Sequence, residues 1–260
     1  MARRARPPFP INLIWNVKAF YVSFIIVMIA SLAATGLATG IGGSTQRRPP
    51  PIGAESPVPE ETPTGLLTLD EPGDAKLAAS KDYQAVITTD EGEIVIALNP
   101  DAPEASNSLA FLGNPDLWPT PRDKDFYNGL EFFWVVPEFD AQAGDPTCES
   151  SGESSCTGSG GPGYDLPKEG DSTQVDKWTV IAPVTSPGSD RVHGSQFVIA
   201  LTDELQFEGS VIGQVVKGQK ILESLTERTP CFGSQSSESC QTEEELPPAL
   251  IIEDIEVKPA

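Results

Sequence analysis

Three groups of residues in this sequence have the types and spacing to do chemistry. The first is the stretch GLEFFWVVPEFDAQAGDP, Gly129 to Pro146. It sets Phe132, Phe133, Trp134 and Phe139 close to one amide, Gln142, an apolar grouping with a hydrogen-bonding side chain beside it. The second is His193, the single histidine, two residues before Ser195. A Ser–His hydrolase would need the pair to meet in space with an orienting acid, and sequence neighbours are the wrong signature for that. The third is a pair of cysteine loops, CESSGESSC (Cys148 to Cys156) and CFGSQSSESC (Cys231 to Cys240). Four cysteines allow three disulfide connectivities. Two local pairs are favoured because each closes a small Ser/Gly-rich loop. A four-cysteine zinc site is the alternative, against which the wide spacings count.

The elements that must position these residues are mostly short strands. YQAVITT and EIVIAL are β-rich runs joined by Asp90-Glu91-Gly92, a hairpin signal. APEASNSLAFLGN follows, with Pro103 and Glu104 at a helix start and Leu109, Phe111 and Leu112 behind them. LEFFWVV, WTVIAP, SQFVIAL and SVIGQVV are strands bounded by Gly, Pro and Asp. GQKILESLTER predicts a second helix with Ile221, Leu222 and Leu225 on one face, and ALIIEDIEV a closing strand. Many short strands with only two helices predict a mainly β protein, a closed antiparallel barrel with helices capping its ends.

Ahead of this domain the composition changes. Residues 1–48 hold six basic residues and no acid, so the remaining 11 bases face all 38 acids, a net charge of −27 within a total of −21. So acidic a surface repels phosphates and anionic headgroups, which excludes a nucleic-acid role. From Ala19 to Gln46 there is no charged residue. Residues 19–41 are long enough for a transmembrane anchor, which needs about 20 apolar residues. Four bases precede the span and two follow it, which leaves residues 1–18 as a cytoplasmic tail and the bulk of the chain outside. A cleaved signal peptide, with Ala33 to Gly40 supplying the cleavage site, is the alternative, although the apolar run is long for one. Both place the domain on the extracytoplasmic side, where disulfides persist. Residues 42–80, rich in Pro, Gly, Thr and Glu, read as a linker, with KLAAS as a short helical turn, and residues 81–260 as the folded domain.

The order GEIVIAL, APEASNSLAFL, FYNGLEFFWVVPEFDAQAGDP, GSGGPGY, GSQFVIAL and VIGQVVKGQKILESL resembles the cyclophilin-type peptidyl-prolyl isomerases over about residues 83–257. The resemblance implies an eight-stranded β-barrel capped by two helices, rotation about the X–Pro bond of proline-containing peptides, and no cofactor or metal. By that resemblance Phe139 falls on the proline-pocket aromatic, Gln142 on a substrate-backbone donor and Gln196 on a second peptide-contacting amide. Phe133 stands where the family has His, and Val198 replaces a pocket Phe. Asp140 replaces a pocket Met, and Leu205 and Gly209 lie where a Trp and a His are usual. Trp134 stands at the position of the catalytic Arg. An indole offers one neutral donor and none of the guanidinium's charge.

The expectation is therefore a membrane-anchored isomerase with weak activity, or a catalytically impaired relative that binds peptides or a partner protein. Trp134 and Gln142 are the candidate catalytic positions. Phe133, Phe139, Gln142, Gln196, Val198 and Leu205 are the candidate peptide contacts. Arg191, on the segment leading to GSQF, is a candidate displaced cation, with surface solvation as its plainer role.

Overall fold

The structure, a computed structural model, describes residues 68–119, 125–150, 156–170, 174–232 and 240–260. The expected anchor at 19–41, the basic tail and the linker up to residue 67 lie outside the described residues. Among the described residues no helix is long and apolar enough to cross a membrane.

The first hairpin forms as its turn signal predicts. β1 (Tyr83–Thr89) and β2 (Gly92–Leu98) pair antiparallel, with Thr89 opposite Gly92. The helix α1 (Pro103–Leu112) follows, with Pro in its first turn. Its N-cap, Ala102, has no capping side chain. Instead the Glu104 and Ala105 N–H groups donate to the Glu169 carboxylate, each at 3.0 Å. This long-range cap satisfies donors that the helix cannot satisfy itself, and puts negative charge at its positive end.

The remaining strands are β3 (Trp134–Val136), β4 (Asp140–Ala143), β5 (Asp165–Pro167), β6 (Gln174–Val175), β7 (Thr179–Pro183) and β8 (Arg191–His193). They continue with β9 (Phe197–Ala200), β10 (Leu205–Gln206), β11 (Gly209–Lys217) and β12 (Ile252–Pro259). Eight of them form one sheet in the order β12-β1-β2-β11-β7-β9-β4-β3, with every pair antiparallel. The sheet curls around its apolar face. The end strands β12 and β3 share no ladder. A bridge between Glu131 and Ile251 links the chain before each of them, flanked by Phe132 N–H to Leu250 C=O and Ile252 N–H to Leu130 C=O, both 2.9 Å. β5–β8 and β6–β10 are separate two-stranded ribbons.

Alternation along the strands sorts the side chains. Val135, Ala141, Ile199 and Val180 point into the main core with Ile87, Ile94, Phe132, Phe197 and Ile252. Burying a side chain of this size stabilises the fold by about 1.5–3 kcal/mol. The opposite face of the same strands carries the candidate site.

Three elements differ from expectation. The second helix, α2 (Gln219–Glu223), has only five residues. Ser224 ends it by donating to the Ile221 carbonyl at 2.8 Å. Four residues on, Arg228 exchanges two backbone hydrogen bonds with Val135, a pairing that a longer helix would prevent. LEFFWVV is strand only at Trp134–Val136, because Leu130 and Glu131 make single bridges to Glu149 and Ile251. KLAAS is no helical turn; it ends in a reverse turn closed by Lys81 N–H to Ala78 C=O.

Residues 68–80, expected as the end of the linker, run along the domain. Leu69 packs against the core and donates its N–H to Pro162 at 2.7 Å. Asn107 of α1 donates to the Gly73 carbonyl and accepts from the Ala75 N–H, both at 2.8 Å.

Candidate peptide-binding site

The β3–β4 hairpin turns through Pro137 and Glu138, and Glu138 adopts a left-handed φ of 61°. The turn is closed by Phe139 N–H to Val136 C=O at 3.0 Å. Its register aligns Trp134 with Gln142, Gln142 with Val198, and Val198 with Ile181. These four residues make one row across β3, β4, β9 and β7. Gln196 lies two residues before Val198, so it shares that face.

The two amides meet. Gln142 Nε2 donates to Gln196 Oε1 at 2.7 Å. Gln196 Nε2 donates to the Gly160 carbonyl at 2.7 Å and lies 3.4 Å from that of Gly158. With 1% exposure, Gln196 is fully engaged with the protein. Gln142 keeps its own carbonyl oxygen and second N–H as hydrogen-bonding capacity for a peptide backbone. Asp145 anchors the relay from behind: its carboxylate accepts from the Gly160 N–H at 2.9 Å and from the Thr147 N–H and hydroxyl at 2.7 Å. A Cβ on Gly160 would sit 2.1 Å from Asp145 Oδ1, so only glycine fits there. Gly144 turns the chain at φ 91°, and its carbonyl accepts the Ser195 hydroxyl at 2.8 Å.

At one end of the row, Phe139 and Leu205 join a small apolar cluster with Val175, Ile181, Ala200, Phe207 and Val211. Asp140 is buried beside this cluster, in register with Val136 and Ala200. At the other end, Trp134 is only 4% exposed. Its indole stacks on Phe232 at a centroid separation of 6.3 Å and an interplanar angle of 27°. Phe133, with no exposure at all, meets the same ring edge-on at 6.2 Å. Phe133 and Trp134 thus belong to a packed aromatic group rather than an open surface.

Neither nearby arginine supplies the absent charge. Arg191 lies on the β5–β8 ribbon, outside the main sheet, and its guanidinium donates to the Asp165 carbonyl. Arg228 is held by Glu131 at 2.5 Å and by the Pro247 carbonyl at 2.6 Å. Desolvation of the half-buried His193 pushes its pKa down, against the opposing pull of the Asp165 and Asp145 charges. Since the Ser195 hydroxyl donates to Gly144, no serine–histidine pair forms.

The cysteines pair locally, Cys148–Cys156 and Cys231–Cys240, which leaves no thiolate for zinc. The sequence reading missed Phe232. Its one signal was a large apolar residue inside an otherwise Ser-, Glu- and Gln-rich loop. It also missed Gly160 as the acceptor that fixes Gln196.

The family model for cyclophilin type peptidyl-prolyl cis-trans isomerases matches residues 84–256. The chain belongs to that family. The peptidyl-prolyl cis-trans isomerase A of Mycobacterium tuberculosis is 30% identical over 155 residues, 55% of this chain and 79% of that protein. A peptidyl-prolyl cis-trans isomerase of Helicobacter pylori is 29% identical over 143 residues, 54% of this chain and 77% of its own. Among solved structures, a cyclophilin type peptidyl-prolyl cis-trans isomerase of Cryptosporidium parvum matches with a TM-score of 0.50 at 20% identity, covering 68% of this chain and 98% of that one. That likeness is one of fold.

Proposed function

We propose that this protein is a slow peptidyl-prolyl cis–trans isomerase acting on proline-containing segments of extracytoplasmic proteins, held at the membrane by residues 19–41. We also read the Glu131–Ile251 bridge as the seam at which the curled sheet closes into a barrel. The observation that carries the functional reading is the shared face: Gln142, oriented by Gln196, stands in one row with Trp134 and Val198, next to the Phe139–Leu205 cluster.

The reaction breaks no covalent bond. The C–N bond is partly double, with a rotation barrier of about 18–20 kcal/mol. A catalyst lowers it by holding the twisted amide better than the planar one. The apolar cluster is suited to the proline ring, and the Gln142 amide to the neighbouring backbone. A cation by the prolyl nitrogen would weaken amide resonance, and Trp134 brings no charge there. Losing one preorganised donor costs other enzymes about 10²–10³ in rate.

A protease-coupled prolyl-peptide assay on the full chain tests this. The expected rate exceeds the uncatalysed one and lies about 10²–10³ below that of a cyclophilin with the family arginine. Gln142→Ala should lower it further. No acceleration and no peptide binding would end the enzymatic reading, and a rate equal to the arginine-bearing enzyme would end the assignment of slowness to Trp134. The second reading, a peptide- or protein-binding module of the envelope, is favoured by the burial of Trp134 under Phe232. It predicts peptide binding without acceleration.

A further inference from the structure

Phe232 comes from the Cys231–Cys240 loop, yet it sits in the candidate site. It is 5% exposed, although the loop that carries it is otherwise polar. One face stacks on Trp134, and Phe133 meets it edge-on. On a further side it lies against Gly158, where a Cβ would come within 3.1 Å of the Phe232 Cζ. The Gly158 and Gly160 carbonyls face the Gln196 amide, so the phenyl ring borders the relay that orients Gln142.

Its placement is fixed from both ends of the loop. The Cys231–Cys240 disulfide closes the base. Beneath it, Cys231 N–H donates to Gln241 C=O at 3.1 Å, and Gln241 N–H to Thr229 C=O at 2.7 Å. The Gln241 side chain accepts from the Thr229 N–H at 2.8 Å. The ring therefore enters the aromatic group from a clamped stem.

We propose that Phe232 is a specificity-determining residue of this site. It fills, from within the chain, an apolar subsite beside Trp134 that would otherwise take a large side chain flanking the substrate proline. The inference rests on the peptide-binding reading above. Three surfaces are already shaped to a phenyl ring: the Trp134 indole face, the Phe133 edge and the bare Cα of Gly158. With Phe232 present the wild type handles peptides with a small residue beside proline and excludes those with an aromatic one. Removing the ring leaves an apolar void, and such voids take up apolar guests.

The test compares the full-length wild type with Phe232→Ala and Phe232→Leu on two tetrapeptides that differ only in Ala-Pro against Phe-Pro. The readout is the ratio of kcat/KM for Phe-Pro over Ala-Pro. It should rise by about tenfold or more in Phe232→Ala, chiefly through KM, the scale on which a filled or empty apolar subsite discriminates. Phe232→Leu should give a smaller rise, and it carries the test alone should the alanine variant fail to fold. Phe-Pro peptide should also perturb tryptophan emission in the variants, and this response should vanish when Trp134→Phe is added. An active wild type whose ratio does not change, or rates that fall in parallel on both peptides, would overturn the specificity role and leave the isomerase reading standing. If neither the wild type nor either variant binds or turns over either peptide, both readings fall together.

Discussion

At the scale of single residues, the contrast between Trp134 and an arginine depends on what covers the position. Trp134 is buried between Phe232 and its own strand, with Phe133 adjacent. Arginine placed there alone would put a guanidinium in a packed aromatic group with no carboxylate assigned to it. A buried charge without its partner typically costs about 3–5 kcal/mol. Trp134→Arg should therefore lower the urea midpoint and fail to restore activity. The double variant Trp134→Arg/Phe232→Ala opens the cover and lets the cation reach solvent and peptide. Its kcat/KM should exceed that of either single variant, approaching the 10²–10³ that a preorganised donor is worth. A single Trp134→Arg as stable and as fast as the double variant would show that Phe232 does not confine the position. That Phe139, Gln142 and Gln196 lie on or beside the paired strands β4 and β9 was legible in the sequence, because their spacing within each motif is local. The place of Phe232 was not, because the contact that places it joins residues nearly a hundred positions apart, Trp134 and Phe232.

At the scale of elements, the strap of residues 68–80 shows why boundaries are harder to read than strands. Its sequence has no apolar periodicity, so composition assigns it to the linker. Its order comes from partners elsewhere: Pro162 for Leu69, Asn107 for Gly73 and Ala75, and the Tyr83 hydroxyl, which accepts from the Ala78 N–H at 3.0 Å. α1 is similar, since its start was legible from Pro103 and Glu104 but its cap, Glu169, lies far along the chain. The first hairpin was legible throughout because all its determinants are local. A fragment beginning at Lys81 should then be less stable than one beginning at residue 66. Losing the contact of the half-buried Leu69 costs about 1–2 kcal/mol, a part of what full burial of a leucine is worth. Urea unfolding of the two fragments measures this, and equal midpoints would mean that the strap only rests on the surface.

At the scale of the whole molecule, acidity makes stability depend on pH, and one pair of groups gives that dependence a specific origin. Asp125 precedes Tyr127 and Asn128, whose N–H groups donate to its Oδ1 at 2.6 and 2.8 Å. Burial, and then a hydrogen bond to the Asp254 carboxyl on β12, push its pKa up to about 7, against the lowering effect of those N–H groups. The folded protein therefore holds a proton here that the unfolded chain releases near pH 4. Stability from this proton is fully present below about pH 4 and is lost as pH rises through about 7. Self-repulsion among the many carboxylates has the same sign over that range. Asp125→Asn separates the two contributions, because asparagine keeps the acceptor oxygen for Tyr127 and Asn128 and removes the titration. Between pH 4 and 7 its melting temperature should fall less than that of the wild type. Glu243→Gln, an exposed site with the same change in charge, should leave the slope nearly that of the wild type. Equal slopes for Asp125→Asn and Glu243→Gln would assign the pH dependence to net charge alone and remove the carboxyl pair from it.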